Sequence, residues 1–214
     1  MPVETPSTHT ATKTTGRIRQ KNEEAILLAA AEEFAVHGYK GTSMNSIALR
    51  VGLPKANLHY YFGSKEVLYR AVLAQILSDW LVPTHGITVD ADPRTALEQY
   101  IRAKMELSAQ RPDGSKVWAN ELLHGAPEVK ELLATDLRQL TLEKAAVVQA
   151  WVDAKRIAPV DGMHLFFTIW AATQTYADFD VQVCAVMDQE TLGEQDFERA
   201  TQHLVSFILR GCGL

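Results

Sequence analysis

The chain has 214 residues, 47% of them hydrophobic and 22% charged, which is typical of a globular protein with a substantial core. No apolar run is long enough to cross a bilayer, and the polar N-terminus lacks a signal-peptide core, so neither a membrane protein nor a secreted one is expected. The two cysteines, Cys184 and Cys212, have neither metal nor redox spacing. These features predict a cytoplasmic protein without a metal or cofactor.

Charge is distributed unevenly along the chain. The net charge is −5, but residues 1–67 carry 8 Lys and Arg against 6 Asp and Glu, a net of +2, which leaves −7 for the remainder. A slightly basic N-terminal part on an acidic body lets one end of the molecule approach phosphates.

The first 20 residues are rich in Thr, Ser and Pro, include several basic side chains and show no apolar period. This composition predicts a disordered basic arm over residues 1–20. The arm either follows a phosphate backbone or minor groove, or is a solvated tail, and the sequence leaves both interpretations open.

Residues 21–68 predict a small unit of short helices. A first apolar helical face ends at Gly38, whose freedom at positive φ suits a helix end. Thr42 or Ser43 then caps a second helix that stops at Gly52. Two short helices joined by a tight glycine-bearing turn are the pattern of a helix-turn-helix.

Two further helices follow at once. Pro54 stands at the start of the third helix, where its missing N–H is tolerated. Ser64 caps a long fourth helix from Lys65 to about Leu81, and Pro83 ends it.

Residues 69–214 predict a larger helical body. Asp92-Pro93 begins it after a loop, with a cap and a proline in the first turn. No strand alternation and no repeat is visible. The predicted helices are 93–110, 115–124, 127–155 with a break near Thr135, 161–186 and 190–210. The fold class is therefore all-α, with an N-terminal helix-turn-helix head and a larger body.

The third predicted helix carries side chains suited to the major groove of DNA. It opens with Lys55, Ala56 and Asn57, and such N-terminal residues of a recognition helix reach base edges. Lys donates to guanine, Asn pairs with adenine, and Ala approaches a thymine methyl. The predicted phosphate contacts are Thr42, His59, Tyr60, Tyr61 and Lys65. The head is thus predicted to bind DNA, with one tyrosine in part a core residue.

These residues resemble the TetR family of bacterial transcriptional repressors. The resemblance covers residues 22–68 and implies a helix-turn-helix repressor. The family pattern occurs at Gly38, Thr42-Ser43, Ile47-Ala48, Val51-Gly52, Leu58, Tyr61-Phe62 and Ser64-Lys65-Glu66. Two positions depart from it, because Pro54 replaces a frequent capping hydroxyl residue and His59 replaces a frequent tyrosine. A phosphate contact made by that tyrosine passes to the imidazole or is lost, so the operator sequence is left open.

The body resembles one subgroup of that family, the pyrimidine-utilisation regulators. The similarity is carried by strings that begin at Glu121, Leu142, Ala150 and Ala158, and most extensively by residues 169–179. It implies a homodimer that binds a palindromic operator and releases it on binding uracil or thymine.

One predicted helix of the body carries side chains suited to a small planar ligand. Trp170 and Gln174 are four residues apart and share a face. The Gln amide supplies both a donor and an acceptor, which matches the edge of uracil. From this pattern alone an ordinary helical core fits as well, and the resemblance is what favours a pocket. The candidate ligand residues are Phe167, Trp170, Gln174 and Asp178, with Trp118 and Glu121 on an earlier helix.

The last two predicted helices carry more apolar positions than one small core requires, which predicts a dimer interface. A purely intrachain core is the other interpretation. The positions are Leu165, Ile169, Val183, Val186, Phe197, Leu204, Val205 and Ile208.

No catalytic constellation is visible, so an enzyme is not predicted. Glu121 and His124 share a helical face but lack a third ligand at metal-site spacing. Two alternatives stay open: a regulator of the same fold that senses a more hydrophobic effector, and a helical enzyme or scaffold. DNA affinity that falls steeply with salt indicates a regulator and not an enzyme or scaffold, because phosphate contacts release counterions.

Overall fold

A computed structural model describes the backbone of residues 9–214 and the side chains from residue 17 onward. The described residues contain helices and no strand, which confirms the all-α class. The chain divides into two compact units, Met1–Val72 and Leu73–Leu214. The sequence predicts the boundary after residue 68, and the structure places it about one helical turn later, after Val72. Within the described residues no helix is long and apolar enough to cross a membrane.

The first unit consists of helices in quick succession. They are α1 (His9–Gly41), α2 (Met44–Val51), α3 (Lys55–Phe62) and the first half of α4 (Lys65–Leu81). Gly38 interrupts α1 with a φ of 66°, at the glycine that the sequence assigned to a helix end.

The predicted disordered arm, residues 1–20, is corrected in part. Residues 1–8 lie outside the described residues, whereas the backbone is helical from His9 onward. Arg19 Nε donates to Glu23 Oε1 and Gln20 Nε2 donates to Glu24 Oε1, each at 3.0 Å. Pairs four residues apart stabilise a helix, and composition alone does not reveal them as a start signal.

The turn between α2 and α3 follows from local capping. Ser43 caps α2 through a reciprocal capping box with Ser46, and Gly52 ends the helix in a left-handed conformation at φ 70°. Pro54 occupies the N-cap of α3 without a side-chain hydrogen bond. Leu58 is the one buried residue of α3, so most of this helix is available to solvent or a partner.

The second unit contains the end of α4 and seven further α-helices in the described chain. They are α5 (Pro93–Gln110), α6 (Pro112–Leu123), α7 (Lys130–Leu132), α8 (Arg138–Asp153), α9 (Gly162–Asp178), α10 (Asp180–Met187) and α11 (Glu194–Gly211). The predicted helix 93–110 is confirmed, and the predicted break near Thr135 is a π-helical turn at Leu133–Leu137. The predicted helix 161–186 is two helices, because Phe179 has a non-helical ψ of 33°.

The core of the second unit forms around α5, α8, α9 and α11, with Tyr100, Trp151 and Phe166 almost fully buried. Helices α8 and α9 approach closely at Gly162. A Cβ atom at that position would lie 2.9 Å from the backbone of Ala145, so this contact requires glycine.

The predicted dimer face needs correction. Five of its members are 8% exposed or less and belong to the core of their own chain, because α9 and α11 turn these positions toward α5 or each other: Leu165, Ile169, Leu204, Val205 and Ile208. Val183 and Phe197 are half-buried, and Val186 is exposed. Besides the predicted Val186, the large apolar side chains exposed in this part of the chain are Phe167, Phe179, Val181, Met187 and Phe207.

Candidate functional site

Helix α3 presents one exposed surface in the first unit. Lys55 and Ala56 are exposed at its first turn, Asn57 is half-buried, and His59 and Tyr60 are exposed further along. This order brings the base-reading candidates and three of the phosphate-binding candidates, His59, Tyr60 and Tyr61, onto one short helix. Their contact with DNA stays a prediction.

Two predicted phosphate contacts have other partners. Thr42 is buried, and its Oγ1 donates to the carbonyl of Glu33 at 3.0 Å. Lys65 Nζ donates to the carbonyls of Tyr39 and Thr42 at 2.7 and 2.9 Å. Lys65 therefore satisfies carbonyls at the end of α1, a role that sequence spacing did not indicate.

The imidazole and the two tyrosines differ in how they are held. His59 is exposed, and its Nδ1 lies 2.8 Å from the carbonyl of Gly63; because a carbonyl oxygen can only accept, Nδ1 carries the proton in this hydrogen bond. Tyr61 is half-buried and its hydroxyl accepts from Asn22 Nδ2 at 3.2 Å. Tyr60 is 73% exposed, with the guanidinium of Arg19 at 6.0 Å from its ring centroid. Tyr61 is therefore partly a core residue, whereas Tyr60 with Arg19 forms an accessible cationic and aromatic surface.

A partly buried ion pair stabilises the packing of α2 on α1. Arg50 Nε donates to Glu33 Oε1 at 2.7 Å, and Arg50 Nη1 donates to Glu32 at 3.1 Å. The hydrogen bond from Arg50 holds the pKa of the Glu33 carboxyl below its usual value. Arg50 is thus committed within the head, although its charge and position make it resemble a phosphate contact.

A cavity of about 140 Å³ lies within the second unit. Drug-sized ligands occupy about 300–1,000 Å³, so this volume suits one small ring. The end of α4 and helices α5, α6 and α9 supply its aromatic and polar walls, and the segment before α8 supplies leucines. Its lining residues are Leu77, Trp80, Leu81, Tyr100, Lys104, Trp118, Leu122, Leu133, Leu137, Trp170 and Gln174.

The polar groups of the cavity wall are held in defined orientations. Trp170 Nε1 donates to the Tyr100 hydroxyl at 2.7 Å, which leaves the hydroxyl proton free to donate elsewhere. Burial raises the pKa of Tyr100 to about 12, so the hydroxyl keeps its proton at neutral pH. Gln174 is half-buried and adds an amide that both donates and accepts. Trp80 and Trp118 meet edge to face, with centroids 5.5 Å apart.

Lys104 is the charged residue among the cavity-lining residues that sequence reasoning missed. It is 2% exposed, and its Nζ lies 4.0 Å from the centroid of the Trp80 ring. Burial lowers its pKa to about 7, opposed by the negative charge of Asp178. The sequence did contain an indication of this burial. Lys104 lies four residues after Tyr100, so the helical period places it on the apolar face of α5.

Three sequence candidates lie outside the cavity wall. Phe167 is 47% exposed on α9. Asp178 accepts a hydrogen bond from Ser115 Oγ at 2.5 Å, and burial raises the pKa of its carboxyl. Glu121 is buried, and its Oε1 accepts from the Glu128 amide at 2.6 Å. The cavity therefore brings together Trp118, Trp170 and Gln174 but not these three.

Neither a metal nor the larger clefts compete with this cavity. The described residues hold no group of three or more His, Cys, Asp or Glu side chains suited to a metal, and His124 Nδ1 faces the Asn120 carbonyl. A cleft of about 450 Å³ between α5 and α10 is larger and more open to solvent than the cavity. The smaller cavity is favoured because it combines aromatic faces with convergent polar groups.

Both units match models of known protein families. Residues 26–72 match the family described as bacterial regulatory proteins, tetR family, and residues 73–214 match the C-terminal region of YcdC-like proteins. The chain is 42% identical over 207 residues to the HTH-type transcriptional regulator RutR of Escherichia coli K12, covering 95% of this chain and 98% of that protein. It is 28% identical over 135 residues to the repressor NicS of Pseudomonas putida, covering 63% of each.

Solved structures share the fold. PfmR, a TetR family regulator from Thermus thermophilus, has a TM-score of 0.69 at 20% identity, covering 86% of this chain and 97% of that one. AibR, solved with isovaleryl coenzyme A and operator DNA, has a TM-score of 0.68 at 19% identity, covering 88% and 98%.

Proposed function

This chain belongs to the TetR family of DNA-binding transcriptional regulators, and from that premise we propose that it is a repressor released from its operator by uracil or thymine. Its relatives are regulators rather than enzymes. The repressor binds a palindromic operator as a homodimer, since each head reads one half-site. Operator binding places it in the cytoplasm.

The cavity of the second unit carries the effector assignment. Its volume suits a single ring, Trp170 offers a flat face, and Gln174 offers the paired donor and acceptor that a pyrimidine edge requires. Tyr100 and Lys104 add donors for the ring carbonyls. A buried polar group left without its partner loses about 1–3 kcal/mol, so analogues without these groups bind weakly.

Helix α4 offers a route from ligand to operator. It begins at Lys65 beside the recognition helix in sequence and ends with Trp80 and Leu81 in the cavity wall. A ligand shifts the protein between two states only by its different affinity for them. In this proposal the ligand favours an α4 position in which the two heads no longer match the half-sites.

Tryptophan fluorescence tests the effector directly. Three of the four tryptophans line the cavity, whereas Trp151 is fully buried in the core and serves as a constant background. We expect saturable quenching by micromolar uracil and thymine, with cytosine as a control for the donor and acceptor pattern. Gln174→Leu should keep the fold and operator binding but lose uracil quenching. Equal uracil affinity in that variant would remove Gln174 from the site.

A second candidate is a regulator of the same fold with a more hydrophobic effector. The observation that favours it is the apolar part of the wall, which includes Leu77, Leu81, Leu122, Leu133 and Leu137. Titration with a lipophilic drug separates the two. If the drug quenches and releases operator DNA while uracil does neither, the pyrimidine assignment is wrong.

A further inference from the structure

Lys104 places a cationic side chain inside the cavity with little to balance it. Its Nζ lies 4.0 Å from the centroid of the Trp80 ring, and the negative charge that acts on it is that of Asp178. A buried ammonium is strongly destabilised relative to water unless a counter-ion compensates it. A negatively charged group at this point of the cavity would therefore be favoured.

The charged groups around Lys104 compensate it only in part. Asp178 on α9 attracts it, but that carboxylate accepts a hydrogen bond from Ser115 on α6 and also lies near Lys116. Lys116 in turn is paired with Asp180 at 2.7 Å. From α5 the neighbouring titratable group is Tyr100, which remains neutral.

The remaining polar groups of the wall are mostly donors. Tyr100 has a free hydroxyl proton because its oxygen accepts from Trp170, and Lys104 has three N–H groups. Gln174 alone among these side chains offers an accepting oxygen. A wall rich in donors and cationic on one side suits a ligand that accepts hydrogen bonds and carries negative charge.

We propose that Lys104 makes this cavity select planar cyclic imides in their anionic form, so that ligand acidity as well as shape determines affinity. This inference rests on the proposed function, because uracil and thymine are themselves cyclic imides. The imide anion spreads its charge over two ring carbonyl oxygens, and these oxygens match the donors of Lys104 and Tyr100.

The proton balance is simple. The N–H bond of the ring breaks and its electron pair stays on the ring nitrogen. The proton passes to Lys104 Nζ when that amine is neutral, or to the buffer when the amine is already protonated. The bound state is the same in both cases, a ring anion against an ammonium.

Two pairs of ligands of matched shape test the inference on the full-length protein. 5-Fluorouracil is close to uracil in size and more acidic, and 5-bromouracil is close to thymine in size and more acidic. We expect the more acidic member of each pair to bind more tightly at pH 7, by up to about tenfold for each unit of ligand pKa. In Lys104→Met, which is one atom shorter and removes the charge while keeping an unbranched apolar side chain, this preference within each pair disappears.

Calorimetry in two buffers of different ionisation enthalpy gives a second measurement that needs no variant. At about pH 6, where Lys104 is already protonated, binding of 5-fluorouracil should release close to one proton per ligand. Release of no proton, or equal affinities within both pairs while uracil still binds and dissociates the operator, overturns this inference and leaves the proposed function intact. Binding of none of the four ligands overturns both.

Discussion

At the residue scale, Lys104 combines a penalty to the stability of the folded protein with the role in ligand binding that we propose for it. Burial lowers the pKa of Lys104 to about 7 in the folded protein, against an ordinary value of 10.5. Below pH 7 the folded and unfolded states both bind the proton, and the full penalty of burying the charge is present. As the pH rises above 7, the folded state releases its proton first, so the penalty falls.

This predicts that the ligand-free protein gains stability between about pH 7 and 9. The measurement stops at about pH 9 because burial also raises the pKa of the Cys212 thiol. At higher pH the unfolded state releases the thiol proton before the folded state does, so the stability of the folded protein falls. Lys104→Met should be more stable than the parent by a few kcal/mol at pH 7, where about 1.4 kcal/mol corresponds to each pKa unit, and should lack the rise. Urea unfolding at both pH values measures this. If the stability of Lys104→Met rises equally between these pH values, the rise comes from titratable groups other than Lys104.

At the element scale, the contact between α8 and α9 depends on the absence of a side chain. Gly162 lies so close to Ala145 that an added Cβ meets backbone atoms, which cannot rotate away as a side chain can. The same helix α9 carries Trp170 and Gln174, so its position determines the cavity wall.

Gly162→Ala should therefore destabilise the protein by about 1–3 kcal/mol through overpacking, despite the helix propensity of alanine. It should also weaken uracil binding by moving α9. Gly86→Ala is the matched control, since a Cβ there meets nothing within 4 Å. Thermal unfolding measures the change in Tm of each variant relative to the parent. An unchanged or raised Tm in Gly162→Ala would show that α8 and α9 can move apart without destabilising the protein.

At the scale of the whole molecule, the apolar side chains of the last helices divide into two sets. Leu204 and Ile208 of α11 are buried in their own chain, whereas Phe207 is 66% exposed. On α10, Val181 and Val186 are 79% and 82% exposed. Exposed large apolar groups of this kind mark an interface, and we propose that the homodimer inferred above forms through them.

Phe207→Glu should convert the dimer to a monomer, because a carboxylate buried in an apolar interface without a partner is strongly unfavourable. Leu123→Glu is the control, since Leu123 is 79% exposed at the end of α6. Sedimentation equilibrium measures the mass of each variant. Operator affinity should fall with the dimer, and a dimeric Phe207→Glu variant would move the interface elsewhere.

Local features of this protein were determined by the sequence itself. The cap at Ser43, the left-handed turn at Gly52, the end of α4 at Leu81 just before Pro83 and the cap at Asp92 each depend on neighbours within one helical turn. For this reason the all-α class, the helix-turn-helix and helix 93–110 were predictable. The shared helical face of Trp170 and Gln174 was predictable in the same way, and the structure places both in the cavity wall, whereas their contact with a ligand stays a prediction.

Only the tertiary structure decided how distant residues meet. Lys104, Trp80 and Trp118 lie on different helices, and packing rather than spacing brings them to one cavity. Packing also gives Thr42 and Lys65 hydrogen-bond partners within the head, the carbonyls of α1 and the following turn, and their contact with phosphates stays a prediction. Burial is a property of the assembled core. Only when the helices pack is it decided which side chains line the cavity, which donors stay free and how far a pKa shifts.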